Sequence, residues 1–487
     1  MKAATPLAAL GAALALVVST GCLGDDDSAE ASAPPPPTQH FRSRPDLTPP
    51  PVEVTTAAHG TAPGLLFLAP KREVAQAGPM ILDDEGRVVW FHPLDTKGVA
   101  DFKVQRYDGR PVLTWWRGRA DKGVGDGYYV IADESYRQIA TVVPGRGLAG
   151  DIHEFLITPR DTALISIYRR LPHDLSSLGG PKEGEIFDGT VQELDIRTGR
   201  VLFEWHSIEH VELEESYEKP PPASQGEAGA PFDYFHLNSI AEDADGNLLL
   251  SARHTHAIYR VSRRDGRVLW RLGGRKSDFV LGPGVRFALQ HDARRLPDGT
   301  MSLFDNGPEG KNVRSRALVL RLSEAASPPR ASLVRAVEHP DRLHSESQGD
   351  TQVLPDGHLL VGWGSNPVVT EFDASGRVLL DLHFGGEGAD SYRAFRFQWH
   401  GRPSELPAVA LSDGRVYVSW NGATDVARWQ LVAGPTPAAT VPLASVARTG
   451  FETSLPVHTD QPWIRVRALS ARGTVLGTSR ALEVDPP

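Results

Sequence analysis

The stretch FHLNSIAEDADGNLLLSARHTHAIYRVSRRDGRVLWRLG, residues 235–273, contains four short runs of strand-forming residues. Asp245-Gly246 separates the first two runs, and Asp265-Gly266 separates the last two. Asp-Gly between such runs is the strongest short-range signal for a hairpin turn. The stretch therefore predicts a four-stranded antiparallel meander.

The same phrase recurs along the chain, which indicates a repeat protein. Clear copies occupy residues 291–339 and 349–385, and looser copies occupy residues 100–145 and 153–207. Their hairpin glycines, Gly246, Gly299 and Gly357, lie roughly 50 to 60 residues apart, which fits one propeller blade with its loops. The repeat therefore favours a β-propeller.

Residues 64–93 contain three strands of the repeat but lack the innermost one. We expect residues 392–399 to supply it, so that the two ends of the array pair and leave no open sheet edge. The resulting prediction is an all-β protein with a six-bladed β-propeller over residues 52–401. Residues 402–487 alternate in short strands without the repeat and predict a β-sandwich of the fibronectin III or Ig-like kind, the alternative being strands that cap the propeller.

The N-terminus has the pattern of an export signal. Lys2 precedes an apolar run that ends in Ser19-Thr20-Gly21-Cys22, and Cys22 is the only cysteine of the chain. We interpret residues 1–21 as a lipoprotein signal peptide and Cys22 as the lipidated residue, with ordinary secretion as the alternative. Residues 22–51 are rich in Pro and Asp and predict a disordered linker. The protein is thus expected to be tethered to the membrane by lipid, in the bacterial cell envelope.

Composition excludes several classes of function. A formal net charge of -10 argues against nucleic-acid partners, which need a basic face. The sequence lacks a P-loop, a G-x-S-x-G elbow and a nucleotide-binding glycine fingerprint, so no cofactor is predicted. His254 and His256 lack a third ligand at suitable spacing, so no metal is predicted either.

Histidine, arginine and asparagine recur where the predicted first strands begin and the second strands end. If the Asp-Gly hairpins share one face, these positions converge on the opposite face, around the central channel. The residues placed there are His153, His236, Asn238, Arg253, His254, His291 and Asn306, together with Arg314 and Arg316, which open the third strand of one repeat. In an acidic protein such a group would attract and orient an anion, because Arg offers forked donors to a tetrahedral oxyanion. The alternative is that the histidines only complete hydrogen bonds between blades.

Several phrases together resemble the arylsulfotransferase family, particularly its branch in actinobacteria and fungi. They are DIHEFLITPRDTALISIY, DYFHLNSIAEDADGNLLLSARHTHAIYRV, QHDARRLPDGTMSLFDNG, SRALVLRL and GDTQVLPDGHLLVGWGSNPVVTEFD, within residues 64–399. The resemblance implies an exported six-bladed propeller that moves a sulfuryl group from a phenolic sulfate ester to a phenol, without the nucleotide donor PAPS. It also implies a transiently sulfated histidine.

Carried onto this chain, the resemblance makes His291, His236 and Arg316 the catalytic residues. Asn238, Arg253, His254, His153, Asn306 and Arg314 become the substrate-binding residues. In well-studied periplasmic members the sulfated histidine lies later in the chain, where this sequence has Gly349-Asp350 and Ser365-Asn366. Either His291 or His236 is then the nucleophile, with His344 a weaker candidate, or this branch has lost transfer activity.

Two other functions remain open at this stage. One is a non-catalytic, lipid-anchored propeller that binds an anionic ligand or glycan. The other is hydrolysis of sulfate esters at the same site, with water as the acceptor.

Overall fold

The computed structural model describes residues 39–96, 98–222, 230–310 and 312–484. In these ranges the chain forms strands and only three 3-10 helices, at Ser176–Leu178, Ser207–Glu209 and Leu213–Glu215. None of the helices in the described part is long and apolar enough to cross a bilayer. The prediction of an all-β protein is confirmed. The predicted signal peptide, Cys22 and the first part of the predicted linker lie outside the described residues.

Strand β1 (Val52–Thr56) is followed by the first sheet, whose strands are β2 (Leu65–Leu68), β3 (Met80–Leu82) and β4 (Val88–Phe91). The second sheet contains β5 (Val99–Tyr107), β6 (Arg110–Asp121), β7 (Val124–Ala132) and β8 (Gln138–Val142). The third contains β9 (Phe155–Ile157), β10 (Thr162–His173), β11 (Gly184–Asp195) and β12 (Val201–His206).

The fourth sheet contains β13 (Leu237–Glu242), β14 (Leu248–Ala252), β15 (Ala257–Val261) and β16 (Val268–Gly273). The fifth contains β17 (Val280–Leu281), β18 (His291–Arg295), β19 (Thr300–Asp305), β20 (Arg316–Ser323) and β21 (Arg330–Glu338). The sixth contains β22 (Asp350–Val353), β23 (Leu359–Gly362), β24 (Val368–Phe372) and β25 (Val378–Phe384), with β1 paired to β25. In each of the second to sixth sheets four consecutive strands form the antiparallel meander that the repeat predicts, whereas the first sheet has three.

Strand β26 (Ala394–Phe397) returns to the start of the chain and pairs with β2, Leu65 opposite Phe397 and Leu68 opposite Ala394. It completes the first sheet, in the order β26-β2-β3-β4. The expectation that residues 392–399 supply the missing innermost strand is confirmed.

The first strands of the six sheets contact one another in succession. Strand β26 contacts β5, β5 contacts β9, β9 contacts β13, β13 contacts β18, β18 contacts β22, and β22 contacts β26. A separate apolar cluster fills each interface between consecutive sheets; for example, Trp116 and Tyr129 of the second sheet pack with Phe155 of the third. Each such fully buried side chain contributes about 1.5 to 3 kcal/mol to stability. Burial between neighbours therefore stabilises sheets that could not be stable alone.

Charged side chains, rather than apolar ones, meet where the first strands approach each other. The guanidinium of Arg393 is completely buried and lies against Asp101 (2.8 Å), Glu154 (3.2 Å) and Asp292 (3.2 Å). Lys103 also bonds to Asp101 and Glu154, at 2.8 and 2.7 Å. Because removal of one partner would leave an uncompensated buried charge, this network fixes the relative positions of the strands that carry it.

Two further sheets follow β26. The seventh contains β27 (Ala408–Ser412), β28 (Arg415–Ser419) and β31 (Glu452–Pro456). The eighth contains β29 (Arg428–Gly434), β30 (Val441–Ala447), β32 (Trp463–Leu469), β33 (Val475–Thr478) and β34 (Leu482–Glu483). Residues of both sheets, among them Val416, Val418, Trp429 and Ile464, form one apolar core.

The prediction that residues 22–51 are a disordered linker is wrong for residues 39–51. Leu47 is buried in the core shared by the first and sixth sheets, and Phe41 packs on Phe451 with ring centroids 4.2 Å apart. The backbone and hydroxyl of Ser43 donate hydrogen bonds to Glu452. The contacts of these few apolar and hydroxyl groups order a segment that its proline content predicted to be disordered.

Candidate functional site

A cavity of about 740 Å³ opens where the first strands of several sheets begin. We call it the histidine cavity because four histidines line it: His153, His236, His254 and His291. Its other polar lining residues are Lys71, Arg72, Thr96, Arg119, Lys122, Asp233, Arg253, Ser347, Gln348, Asp390 and Tyr392. Five of the nine predicted site residues, the four histidines and Arg253, therefore share one opening.

The repeat explains why these histidines converge. His153, His236 and His291 stand at or just before the first residue of β9, β13 and β18, the first strands of three consecutive sheets. In β13 and β18 the pairing register shifts at this point, as in a β-bulge. His236 and Asp292 have positive φ values of 54° and 55°, so the backbone turns sharply there. The turn directs the side chains to the strand ends instead of into the sheet interfaces.

Three of the histidines are held through Nδ1. His236 Nδ1 donates to Asp233 Oδ2 at 2.5 Å, and His153 Nδ1 donates to Asp151. His291 Nδ1 lies 2.7 Å from Asn306 Oδ1. Because these oxygens accept, each Nδ1 carries the hydrogen, and the lone pair is left on Nε2.

Asn306 fixes the tautomer of His291 with particular clarity. Its Nδ2 donates to the carbonyl oxygens of Ser345 (2.9 Å) and Gln348 (3.0 Å), so its Oδ1 must face the imidazole. The backbone N–H of Gln348 donates to His291 Nε2 in a long contact of 3.3 Å. His291 thus presents a weakly engaged Nε2 lone pair at the cavity.

Arg253 is the cation closest to this histidine group. Its Nη1 lies 2.7 Å from His254 Nε2, and its Nη2 donates to the carbonyl of Glu346 at 3.0 Å. Its Nε is buried and has no hydrogen-bond partner among the described residues. A half-buried guanidinium that lines the cavity is suited to bind an oxyanion.

Burial and the nearby positive charges keep His236, His254 and His291 neutral. Burial, together with Arg253, lowers the pKa of His291 well below its usual value. Burial also lowers the pKa of His236, although Asp233 opposes the shift, and it lowers the pKa of His254 to about 3. Burial raises the pKa of the Asp233 carboxyl, but His236 and His254 outweigh this effect and lower the pKa to about 2. Near neutral pH the cavity therefore combines neutral imidazoles with a carboxylate and a guanidinium.

Tyr392 lies between the two walls of the cavity. Its ring centroid is 5.4 Å from that of His153 and 6.4 Å from that of His291. Its hydroxyl donates to the carbonyl oxygen of Asn238 at 2.9 Å. Asn238 is itself fully buried, and its Nδ2 donates to the carbonyl of Gln290 at 2.6 Å. Asn238 is predicted to bind substrate, but it lies beneath the cavity and accepts the hydrogen bond of Tyr392. Asn306 is predicted to bind substrate too, and it acts through its hydrogen bond to His291.

The prediction that Arg314 and Arg316 share the opening with the histidines is wrong. Both line a second cavity of about 570 Å³, which we call the arginine cavity. Arg316 Nε bonds to Asp305 at 2.8 Å, and Arg314 pairs with Glu338 at 3.0 Å. The reason is radial position: Arg316 begins β20, the third strand of its sheet, which lies two strand spacings of about 4.8 Å from the first.

Several cavity residues were missed from the sequence. Asp233 precedes His236 by three residues and Asp151 precedes His153 by two, so an acidic residue just before these two histidines was a signal available in the sequence. Lys71, Gln348 and Tyr392 come from three other parts of the chain, and no local pattern marks them.

In the described part of the chain, Asp233, His236 and His254 place one potential metal-ligand atom each within 4.8 Å of one another. His254 donates through Nδ1 to the carbonyl of Asp233 and contacts Arg253 through Nε2, so both its nitrogens are engaged. The guanidinium of Arg253 would also repel a cation. These contacts favour an anion at this group, and the absence of a metal stays a prediction.

Comparison with known proteins gives one family and several distant folds. No curated protein matches the chain. Among solved structures, a protein of unknown function from Bacteroides caccae is similar at 13% identity, over 68% of this chain and 98% of that chain, with a TM-score of 0.40. Virginiamycin B lyase from Staphylococcus aureus is similar at 9% identity, over 76% of this chain and 96% of that chain, with a TM-score of 0.33. Likeness at this level carries no argument about function.

The model of the arylsulfotransferase (ASST) family matches residues 103–385. This range extends from β5 to the end of β25 and contains His153, His236, Arg253 and His291. Since it covers more than half of the chain, the protein belongs to the arylsulfotransferase family.

Proposed function

We propose that the histidine cavity transfers a sulfuryl group from a phenolic sulfate ester to a phenol, independently of PAPS, with His291 as the nucleophile. The observation that carries the proposal is the hydrogen bond from His291 Nδ1 to Asn306, which leaves the Nε2 lone pair at a cavity that also contains Arg253. A neutral, oriented imidazole beside a buried cation is what nucleophilic attack on an anionic ester requires.

In the first step His291 Nε2 attacks the sulfur, an N–S bond forms, and the bond between sulfur and the ester oxygen breaks. The electron pair of that bond leaves with the phenolate. The imidazole becomes positively charged, and Asn306 Oδ1 continues to accept its Nδ1 hydrogen. Arg253 offers its free Nε donor to the sulfuryl oxygens.

In the second step His236 acts as the base. Its Nε2 accepts the proton of the acceptor phenol while Asp233 stabilises the resulting imidazolium, since the two side chains are 2.5 Å apart. The phenol oxygen attacks the sulfur, the N–S bond breaks, and His291 recovers its neutral form. The proton on His236 then passes to the departed phenolate or to water.

We also propose that the six sheets form a six-bladed β-propeller and the seventh and eighth sheets a fibronectin III-like sandwich. The cyclic order of contacts between first strands and the six apolar interfaces support the propeller. The apolar core common to the two last sheets supports the sandwich. Export and lipid attachment at Cys22 belong to the same proposal and rest on the sequence of the N-terminus.

The test is turnover of p-nitrophenyl sulfate with phenol as acceptor, using the full chain. We expect release of p-nitrophenol together with phenyl sulfate, and a peptide containing His291 that carries the added mass of one SO₃ group. His291→Ala should lower the rate at least about 10³-fold. His344→Ala is the matched control and should keep the wild-type rate, because His344 does not line the cavity.

Two outcomes would contradict the proposal. An unchanged rate in His291→Ala would remove this residue as the nucleophile. Release of p-nitrophenol without phenyl sulfate would show that water is the acceptor and that the protein hydrolyses sulfate esters.

A further inference from the structure

The rim of the histidine cavity carries more positive charge than one sulfuryl group needs. Besides Arg253, its cations are Lys71, Arg72, Arg119 and Lys122. Arg72 is paired with Asp390, and among the described residues the other three form no ion pair with a carboxylate. A sulfate monoester carries a single negative charge, which Arg253 already meets. Asp233 also lines the cavity as a carboxylate, so five cations face two carboxylates and one ester charge, and two positive charges are left for another negative group.

Two of these cations are held over the site by a fixed hairpin. Strands β6 and β7 are joined by Lys122-Gly123, whose φ values of 47° and 84° are those of a tight two-residue hairpin turn. The tip reaches His236: a Cβ on Gly123 would lie 3.4 Å from His236 Cε1. Lys122 therefore stands at the mouth directly beside the proposed base.

The hairpin is anchored to the segment that holds His153. Trp116 Nε1 donates to the carbonyl oxygen of Gly150 at 2.9 Å, and the backbone N–H of Gly125 donates to Asp151 Oδ2 at 2.6 Å. Gly127 and Gly150 exchange backbone hydrogen bonds of 2.9 and 2.7 Å. The positions of Arg119 and Lys122 at the rim are therefore set by the same contacts that orient a site histidine.

Lys71 adds the third unpaired cation from the opposite wall. Its Nζ lies 3.1 Å from Gln348 Oε1, and the backbone N–H of the same Gln348 contacts His291 Nε2. Burial lowers the pKa of Lys71, with Asp390 opposing the shift and the neighbouring Arg72 adding to it. An anionic ligand would relieve this cost.

We propose that the acceptor of this arylsulfotransferase is a phenol that bears a second, anionic group such as a carboxylate, held at the rim by Arg119, Lys122 and Lys71. The inference rests on the proposed sulfuryl transfer and adds the class of acceptor. The chain as a whole has a net charge of -10, so the positive charge at the rim is local and is not a property of the entire protein. A local positive surface of this kind attracts an anion. The cavity volume of about 740 Å³ leaves room for an acceptor larger than phenol.

The test compares three acceptors that share the same phenol ring and differ in the charge of a short side chain: 4-hydroxyphenylacetate (anionic), tyrosol (neutral) and tyramine (cationic). With p-nitrophenyl sulfate as donor, we expect kcat/KM to fall about tenfold at each step in that order, because each step removes one unit of favourable charge interaction. The differences should shrink in about 1 M salt, where the Debye length is about 3 Å.

Charge reversal at the hairpin tip provides the matched variants. Arg119→Glu combined with Lys122→Glu should invert the order, so that tyramine becomes the better acceptor. Replacement of both residues by Gln should reduce the anion-to-cation ratio toward one. Arg472→Glu, at an exposed position between β32 and β33, is the control and should keep the wild-type order.

Equal kcat/KM for the three acceptors in the wild type would overturn the inference while leaving sulfuryl transfer intact. Retention of the anion preference in the Glu double variant would overturn it as well. If no acceptor is sulfated, the proposed function fails, and the rim is then judged by calorimetric binding of 4-hydroxyphenylacetate and tyrosol. Tighter binding of the anion supports an anion-binding rim, and equal binding rejects it.

Discussion

The histidine cavity and the arginine cavity are built from neighbouring residues, yet their charges are arranged in opposite ways. Asp305 and Asn306 are consecutive, but Asp305 lines the arginine cavity and Asn306 supports His291 beneath the histidine cavity. In the arginine cavity Arg314 and Arg316 each have a carboxylate partner. In the histidine cavity the guanidinium of Arg253 has no carboxylate within ion-pair distance among the residues that the structure describes, and its Nε has no partner among them.

This difference supports the proposal that the histidine cavity performs the chemistry. An arginine whose charge is already balanced contributes to the structure, whereas a buried, unbalanced one gains stabilisation when an anion binds. His153 and His236 follow the same rule, because each is anchored through Nδ1 and has no hydrogen bond at Nε2 among the described residues, while His291 has only a long one there. The comparison yields three predictions. Two of them compare a variant in the histidine cavity with a variant in the arginine cavity. The third concerns the pH dependence of the histidine cavity, with Arg316→Ala as the control.

The largest difference is expected between Arg253→Ala and Arg316→Ala. Arg253→Ala should lower kcat/KM for p-nitrophenyl sulfate by about 10² to 10³-fold, because it removes the donor to the developing sulfuryl charge. Arg316→Ala should leave kcat/KM close to wild type but lower the free energy of unfolding by about 1 to 3 kcal/mol, since Asp305 loses its partner. Steady-state kinetics and urea unfolding measure the two effects. A larger loss of kcat/KM in Arg316→Ala than in Arg253→Ala would contradict the proposal and place catalysis in the arginine cavity.

A smaller difference is expected between Asp233→Asn and Asp305→Asn. The amide at position 233 no longer requires a hydrogen on His236 Nδ1, so the base loses its orientation and the charge that stabilises its imidazolium. We expect kcat/KM to fall roughly 10²-fold. Asp305→Asn, which changes the corresponding carboxylate of the arginine cavity, should not alter kcat/KM. Equal rates in both variants would show that His236 does not depend on Asp233.

The smallest effect concerns pH. Burial and Arg253 lower the pKa of His291 well below its usual value, so the imidazole stays unprotonated as the pH falls through about 6.5, the ordinary pKa of histidine. The acid limb of the profile of kcat/KM against pH should therefore lie below that value. Arg316→Ala should not move it. A limb centred at or above pH 6.5 would contradict the assignment of a buried, neutral His291.

The sequence was most informative where chemistry is local. The Asp-Gly turns and strand runs located the sheets, and the incomplete first repeat even identified β26 as the strand that returns to β2. His153, His236 and His291 were found because they occupy the same position in successive repeats. Their partners Asp151 and Asp233 carried the same local signal, although it was not used.

The sequence was misleading where the answer depends on distance from the centre of the fold. Arg316 lies in a phrase that resembles the family, but the third strand of a sheet is too far out to face the histidines. Residues 39–51 show the same limitation, because a proline-rich composition does not reveal that Leu47 and Phe41 have apolar surfaces to pack against.

The sequence by itself determined an all-β chain of repeated meanders, the family to which it belongs, and the histidines at the repeated strand starts. These features follow from short-range turn chemistry and from periodicity, which the order of residues specifies directly. Only the tertiary structure decided that Arg314 and Arg316 do not join the histidines and Arg253, and that Lys71, Lys122 and Tyr392 complete the cavity. Such groupings depend on how separate strands and one long hairpin pack in three dimensions, and no local pattern in the chain encodes those distances.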